Sequence, residues 1–539
     1  MNNQHMWDDI IVGAGSSGAV LASRLSEDSS RRVLLLEAGI DYAHIDDVPD
    51  VIKRADSVVM SGYTWDFTAN IYRNGIPQGL TQSADALPAT SSNTSSNAQQ
   101  FPYGLGKITG GSSSINGAIA LRGLQEDFDR WATLGCSEWS WASVLPFFRK
   151  LETDNDFTGD LHGDDGPILI NRPSHNRFND FETIFWNTCR ELGMAEISDL
   201  NGSSAAGVGR VPANIAADGT RVSTALAYLC PARVRKNLRI EGNAYVERVL
   251  FDGTRAIGVE VMINNRRERL LGNRITLSAG AINSTAILLR SGIGNSDHCR
   301  ALGIPSIAHL PGVGENLMDH ATIVLWMTPT SITGNEAGPH HHVMARALSE
   351  SATVPDLNVT FLSHFPTVSI PQLNNLLRTE RAHALSVVLT DPASKGRVYL
   401  HDAMPSSKPI IDLNLCSVPN DIDRLMQGMR LAWKIAQSEQ FTSRIKSIFL
   451  WNEAIINNDR LLKSTIQRFL STIWHPAGTA KMGPAEDTMA VVDPQCRVHS
   501  VDGLSIVDAS IMPQIPSAPI NLSCIMLAER AAHWMTKTS

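Results

Sequence analysis

The sequence predicts an α/β protein, with a Rossmann-type dinucleotide-binding domain at its start and at least one further domain. Three observations carry this. Asp8-Asp9-Ile10-Ile11-Val12 is an apolar strand that runs straight into Gly13-Ala14-Gly15-Ser16-Ser17-Gly18. An apolar-periodic helix follows through Arg24, then a second strand, Val33 to Leu36, which stops on Glu37. At 539 residues the chain exceeds one ordinary domain.

Each part of the fingerprint has a physical task. Gly13 permits the tight turn out of the strand, Gly15 lets a pyrophosphate approach the backbone, and Gly18 lets helix and strand pack closely. The helix start offers unpaired N–H groups to phosphates. Glu37 is placed to accept hydrogen bonds from a ribose and would repel a 2′-phosphate, which argues against NADP. The motif alone leaves NAD and FAD open.

Composition is that of a soluble globular protein, with 43% hydrophobic and 19% charged residues. A net charge of −8 gives no electrostatic reason to bind nucleic acid or an anionic membrane. No apolar run approaches a membrane span, and Met1 to Trp7 has no secretory pattern. The seven cysteines are scattered without a CxxC pair, which fits reduced thiols and a cytoplasmic setting. Cys524 reads as a small buried hydrophobe rather than a reactive thiol.

Farther along, residues 78 to 100 are rich in Ser, Ala, Asn, Thr and Gln and read as a long loop, either a lid or a passive insertion. Asp127 to Lys150 reads as helices with Trp131, Trp139 and Trp141 in the core. Strands are expected at 238–240, 246–251, 257–263 and 274–278, with a helix between Gly280 and Gly292. Residues 355 to 415 read mostly as strands, and 421–440 and 522–535 as helices. The triplet His340-His341-His342 reads as an exposed loop rather than a metal site, because adjacent side chains diverge.

Two further constellations bear on chemistry. Gly104 to Gly117 contains Gly110-Gly111 followed by Ser112, Ser113 and Ser114. With the first motif it suggests one cofactor gripped from two places, which suits FAD better than NAD. Near the C-terminus stand Trp474-His475-Pro476, Val507-Asp508-Ala509 and Pro519-Ile520-Asn521. His475, fixed by a proline among turn residues, suits a general base, although a lone His is usually structural. Asn521 suits a donor to an alkoxide.

These blocks resemble the glucose–methanol–choline (GMC) oxidoreductases almost end to end. The resemblance runs through the N-terminal fingerprint, Gly106 to Gly117, His162-Gly163 and Gly166-Pro167, Arg221 to Leu229 and Gly258 to Glu260. It continues through Ser278 to Gly294 and Pro311 to His320, and closes with the His475 segment and Val507 to Asn521. It implies GMC architecture: a Rossmann-type FAD-binding α/β domain plus an α+β substrate domain with an antiparallel sheet backed by helices. The FAD domain is expected from residues 1–45, 100–155, 215–310 and 470–539. The substrate domain and cap elements would take 46–99, 156–214 and 311–469.

The resemblance also implies roles. Gly13, Gly15, Ser16, Ser17 and Gly18 would hold the pyrophosphate, with Glu37 and Ala38 at the ribose. Gly111, Ser112, Asn116, Gly117 and Ala118 would lie along the pyrophosphate and flavin, and the Val246 backbone at the adenine. Asp508, Ala509 and the backbone near Asn521 and Leu522 would border the flavin, with His475 and Asn521 as the catalytic pair. No metal is implied. Leu105, Thr109 and Thr285 depart from the family pattern and bear on local packing. Ile115 stands where some relatives attach FAD through His, so FAD is expected to be non-covalent.

The implied activity is FAD-dependent oxidation of a primary, aryl or heteroaryl, alcohol to the aldehyde, with His475 as base and hydride passing to flavin N5. The electron acceptor is oxygen or another molecule. Trp65, Phe67, His364, Phe365, Trp474 and Pro519 are candidate pocket residues. A non-oxidative flavoprotein lyase, a light-driven decarboxylase and a sensing flavoprotein are the alternatives on this fold. Oligomeric state stays open.

Overall fold

The computed structural model describes residues 6–73, 100–202, 204–331 and 339–537. Strand β1 (Trp7–Val12) is followed by helix α1 (Gly18–Leu25) and strand β2 (Val33–Leu36), with Ile10 opposite Leu34 in parallel register. β2 is wholly buried, as a strand covered on both faces must be. The parallel core is completed from distant parts of the chain. Leu238–Glu241 lies beside β2, Arg266–Leu277 beside β1, and Leu504–Ile506 beyond it.

Arg266–Leu277 serves two sheets at once. Its first half closes an antiparallel meander with Ala244–Asp252 and Arg255–Ile263, and its second half joins the parallel core. The sequence places this strand from Arg274 only. Arg266 to Arg269 are all exposed, so their charges hide the strand from a hydrophobicity pattern.

The second large sheet is mainly antiparallel. Its order is Ile445–Ile448, Ala321–Pro329, Arg381–Leu389, Leu357–Pro366, Val343–Ala347, Gly207–Arg210, Glu196–Ile197. Side-chain alternation gives it two different faces. Ala321, Ile323 and Leu325, with Val359 and Val387, enter a core covered by helix Pro419–Ala436. That helix comes so close that a Cβ on Gly428 would sit 2.5 Å from Val387 Cγ1. The intervening residues Thr322, Val324, Thr360 and Ser386 face a cavity instead.

The expected helices at 127–150, 280–292, 421–440 and 522–535 appear as Gln125–Thr133 with Trp141–Leu151, Gly280–Arg290, Pro419–Ala436 and Asn521–Lys537. Trp131 and Trp139 are fully buried, while Trp141 packs at the core's edge. Thr64–Asn70 pairs with Gln100–Gly106. Ile168 and Ile170 pack in the first core, the one around β1 and β2, and their strand pairs with Glu152–Asp154. Most of the polar 78–100 segment lies outside the described residues.

Candidate active site

The two glycine-rich segments touch. Gly13 turns with φ +98°, and a Cβ there would sit 2.5 Å from Ser278 O. Gly18 packs under it, since a Cβ would fall 1.8 Å from Gly13 O. The Gly110 N–H donates to Ala14 O at 2.7 Å. A Cβ on Gly111 would sit 2.8 Å from Gly15 Cα, so only glycine lets the segments meet. Glu37 ends β2 and accepts from the Ala14 N–H (2.9 Å) and the Gly39 N–H (2.8 Å). Burial pushes its carboxyl up to about 7, against those two N–H groups.

One cavity of 2070 Å³ runs past these groups. Its wall includes Gly13, Gly15, Ser16, Ser17, Glu37, Ala38, Gly111, Ser112, Asn116, Gly117, Val246, Asp508, Ala509 and Asn521, and it reaches His475. A long dinucleotide fits this donor set, with backbone N–H groups and hydroxyls at the glycine loops and a buried carboxylate beyond them. Ile115 is in the wall and offers no nucleophile for a covalent link. Asp508 spends its side chain inward, accepting from the Gly280 N–H at 2.9 Å and Ser284 Oγ at 2.6 Å, so it caps helix Gly280–Arg290.

Gly18, Ala118 and Leu522 are not among the residues that line the cavity. Gly18 is consumed by helix–strand packing. Ala118 is fully buried at φ +55°, with its N–H on Asn116 Oδ1 and its carbonyl on the Asn214 N–H. Leu522 points into the first core from the second position of its helix. Among the pocket candidates, Trp65, Phe365, Trp474 and Pro519 line the cavity, whereas Phe67 and His364 do not. Phe67 shares its strand face with Trp65, stacks on that ring at 5.5 Å between centres, and packs deeper in the second core. Of the three departures, Leu105 is in the wall, Thr109 Oγ1 donates to Asp41 Oδ1 (2.8 Å), and Thr285 Oγ1 donates back to Ala281 O (2.8 Å).

The reaction end is built around His475. Trp474 adopts φ +58°, a strained conformation for a bulky residue, and its N–H donates to Thr472 Oγ1 at 3.1 Å. The His475 N–H donates to Asp319 Oδ1 at 2.9 Å, and Tyr103 OH donates to the other carboxylate oxygen. Burial pushes Asp319 up to about 6. His475 Nδ1 lies 2.9 Å from His320 Nδ1, with the rings nearly perpendicular at 84°. Burial and the facing His320 hold His475 well below the usual imidazole range, and burial lowers His320 to about 4.

Sequence reasoning gave no role to Tyr103, Asp319 or His320. The legible signal was the adjacent Asp319-His320 pair just before a strand, but nothing in the sequence sets it beside His475. Asn521 lies at the start of the C-terminal helix and faces the cavity, its Oδ1 accepting from Ser16 Oγ at 2.7 Å. The bond ties the first glycine loop to the end of the chain.

The histidine triplet is not an exposed loop. His340 is buried between Ser363 O and Asp56 O, both at 3.0 Å. His341 lines the cavity, its Nε2 3.2 Å from where a Gly117 Cβ would stand. His342 Nδ1 lies 3.0 Å from Glu182 Oε1. The side chains diverge: His340 and His342 meet interior partners, and His341 faces the cavity. The one metal-like group among the described residues is Glu152, Asp154 and His162. Cations of the protein already occupy it, with Arg122 on Glu152 and Arg172 on Asp154. His162 bridges to Asp199 at 2.9 Å, and its acidic partners raise it to about 10 against the pull of burial.

The family model of the N-terminal GMC oxidoreductase domain matches residues 7–322, and that of the C-terminal domain residues 392–528. The chain is 35% identical to 5-(hydroxymethyl)furfural oxidase of Methylovorus sp., covering 98% of each chain. It is 33% identical to human mitochondrial choline dehydrogenase, covering 97% of this chain and 88% of that one. The solved structure of pyridoxine 4-oxidase from Mesorbium loti is similar at a TM-score of 0.86 and 27% identity, covering 98% and 99%. Glycine loops, buried acid, histidine pair and these matches agree: the chain belongs to the GMC oxidoreductase family, the FAD-dependent oxidoreductases of alcohol CH–OH groups.

Proposed function

We infer that this protein oxidises a primary alcohol, aryl or heteroaryl, to its aldehyde, with His475 as the base. The observation that carries the reading is the His475–His320 contact opening onto the same cavity as the two glycine loops. In the cofactor half, the first glycine loop with Gly111 and Ser112 would hold the pyrophosphate and Glu37 the ribose. The Val246 backbone would meet the adenine, and Asn116, Gly117, Asp508 and Ala509 would border the ring system. Bound there, FAD supplies the two-electron acceptor for the hydride from the carbinol carbon.

The chain's own residues handle the proton. When Nδ1–H of His475 donates to His320, His475 Nε2 is left as an acceptor for the substrate hydroxyl proton. Because burial keeps His475 neutral, the base form is present without a prior deprotonation. The Asp319 contact and the fixed Trp474 backbone keep the ring in place. The Asn521 amide, whose oxygen is held by Ser16, has its N–H groups to meet charge developing on the substrate oxygen.

Aromatic wall residues Trp65, Phe365 and Trp474 support an aryl or heteroaryl substrate. No helix among the described residues is long and apolar enough to cross a membrane. All seven cysteines are unpaired, which supports a reducing, cytoplasmic setting. The test is anaerobic mixing of the FAD-loaded enzyme with an alcohol panel. Bleaching of the flavin with aldehyde formation supports oxidation, and aldehyde without bleaching indicates a lyase. Admitting oxygen afterwards separates an oxidase from an enzyme that needs another acceptor.

A further inference from the structure

The substrate side of the cavity is graded along the antiparallel sheet. Strand register arranges its cavity-facing residues in rows. The row nearest His320 holds Thr322, Val388 and Asn358, and the next holds Val324, Ser386 and Thr360. A third row holds Trp326 and Leu362. From Thr322 to Trp326 the strand advances about 13 Å.

Polarity falls along these rows. Thr322 and Ser386 satisfy each other's hydroxyls at 3.0 Å. Asn358 and Thr360, both under a tenth exposed, have no side-chain hydrogen bond among the described residues. They are among the wall's polar groups left for a ligand, together with Thr390, whose buried Oγ1 also has no partner. Around the third row aromatic and aliphatic side chains gather, with Phe365 packed on Trp326 (5.4 Å between ring centres) and Leu376 and Phe449 also in the wall, beside the polar Gln372, Asn375 and Arg468. The carboxylates on the wall, among the described residues, are Glu37 and Asp508, and backbone N–H groups on the cofactor side engage both.

We propose that the substrate is a neutral, elongated primary alcohol, with a hydrogen-bonding heteroatom near the carbinol carbon and an apolar tail running out past Trp326. The proposal rests on the alcohol-oxidation reading above. Asn358 and Thr360 would meet the heteroatom, and the Trp326–Leu362 row would bury the tail. A compact cation of the choline type would meet aromatic faces there but no carboxylate among the described wall residues outside the cofactor side.

Wild-type enzyme loaded with FAD tests this directly. Anaerobic flavin reduction is followed with furfuryl alcohol, its 5-alkyl derivatives from methyl to hexyl, benzyl alcohol and choline. The expected result is a rise in kcat/KM of about fourfold per added methylene until the tail passes Trp326, with choline slowest. Trp326→Ala, checked for retained flavin absorbance, should lower the hexyl-to-methyl ratio at least tenfold. Thr360→Val should narrow the preference for furfuryl over benzyl alcohol. A flat alkyl series, or choline outpacing the hexyl compound, overturns the proposed substrate class while leaving alcohol oxidation standing. Failure of every alcohol to bleach the flavin overturns the alcohol reading itself.

Discussion

The Nδ1 atoms of His320 and His475 lie 2.9 Å apart, a contact that exists as a hydrogen bond only when one of the two carries the proton. With the proton on His475 Nδ1, His320 is the acceptor and His475 Nε2 is left as the basic nitrogen. His475→Ala is expected to slow anaerobic flavin reduction by about 10²–10⁴-fold while FAD stays bound. His320→Ala should slow it less, because the base remains and only its orientation is loosened. Stopped-flow flavin absorbance measures both, and a His475→Ala rate within a few-fold of wild type would refute the base assignment.

The same burial makes a statement about pH. His320 is lowered to about 4 and His383 to about 3, from an ordinary value near 6.5, because their charged forms lose hydration inside the protein. Below about pH 6.5 the unfolded chain binds protons that the folded chain refuses, so stability falls as pH drops toward the folded values. Each histidine contributes a slope of up to about 1.4 kcal/mol per pH unit. Urea unfolding at about pH 7 and about pH 5 should show the loss. His162 has the opposite sign. Raised to about 10, it contributes stability that is complete below its unfolded value and disappears as pH rises through 10.

Gly15 separates cofactor binding from folding. A Cβ there meets nothing nearer than Gly111 Cα at 3.8 Å, so the protein tolerates it, yet it projects into the cavity wall at the glycine loops. Gly15→Ala should leave the thermal stability of the apoprotein unchanged and weaken FAD at least tenfold, about 1.4 kcal/mol. Gly13→Ala, with its Cβ 2.5 Å from Ser278 O, should damage folding as well. Equal FAD affinity in Gly15→Ala and wild type, by fluorescence titration, would place the pyrophosphate elsewhere.

Ser16 donates to Asn521 Oδ1 at 2.7 Å and so orients the amide. Asn521→Ala should slow flavin reduction by about 10²-fold, the low end for removal of one donor to a developing charge. Ser16→Ala should give a smaller loss, since the amide survives but its aim does not. If Ser16→Ala proved the slower of the two, the amide's role would be disproved.

The buried cluster of Glu152, Asp154, His162, Arg122 and Arg172 is expected to be structural. Glu152→Gln removes the charge facing both Arg122 and His162. Breaking such a buried pair costs about 3–5 kcal/mol, read as a fall in the urea midpoint. A metal titration that left the melting temperature of wild type unmoved would agree with the arginines filling the site.

Much of the first domain was legible because its signals are local. The β1–α1–β2 order, the glycines and Glu37 all lie within forty residues, and period-two and period-3.6 patterns located most later elements. Arg266 to Arg269 escaped because exposed charge masks a strand, and the histidine triplet misled because sequence cannot say which diverging side chains turn inward to a partner or a cavity.

By itself the sequence determined the family, the dinucleotide grip and the identity of His475 and Asn521 as candidates, since these depend on residue type and near-neighbour spacing. Tertiary structure alone decided who stands beside them. It set His320 and Asp319 against His475 and placed Ser16 on Asn521. The reason is physical: such contacts join residues far apart in sequence, and their partners are chosen by sheet register and helix packing, which no local pattern encodes.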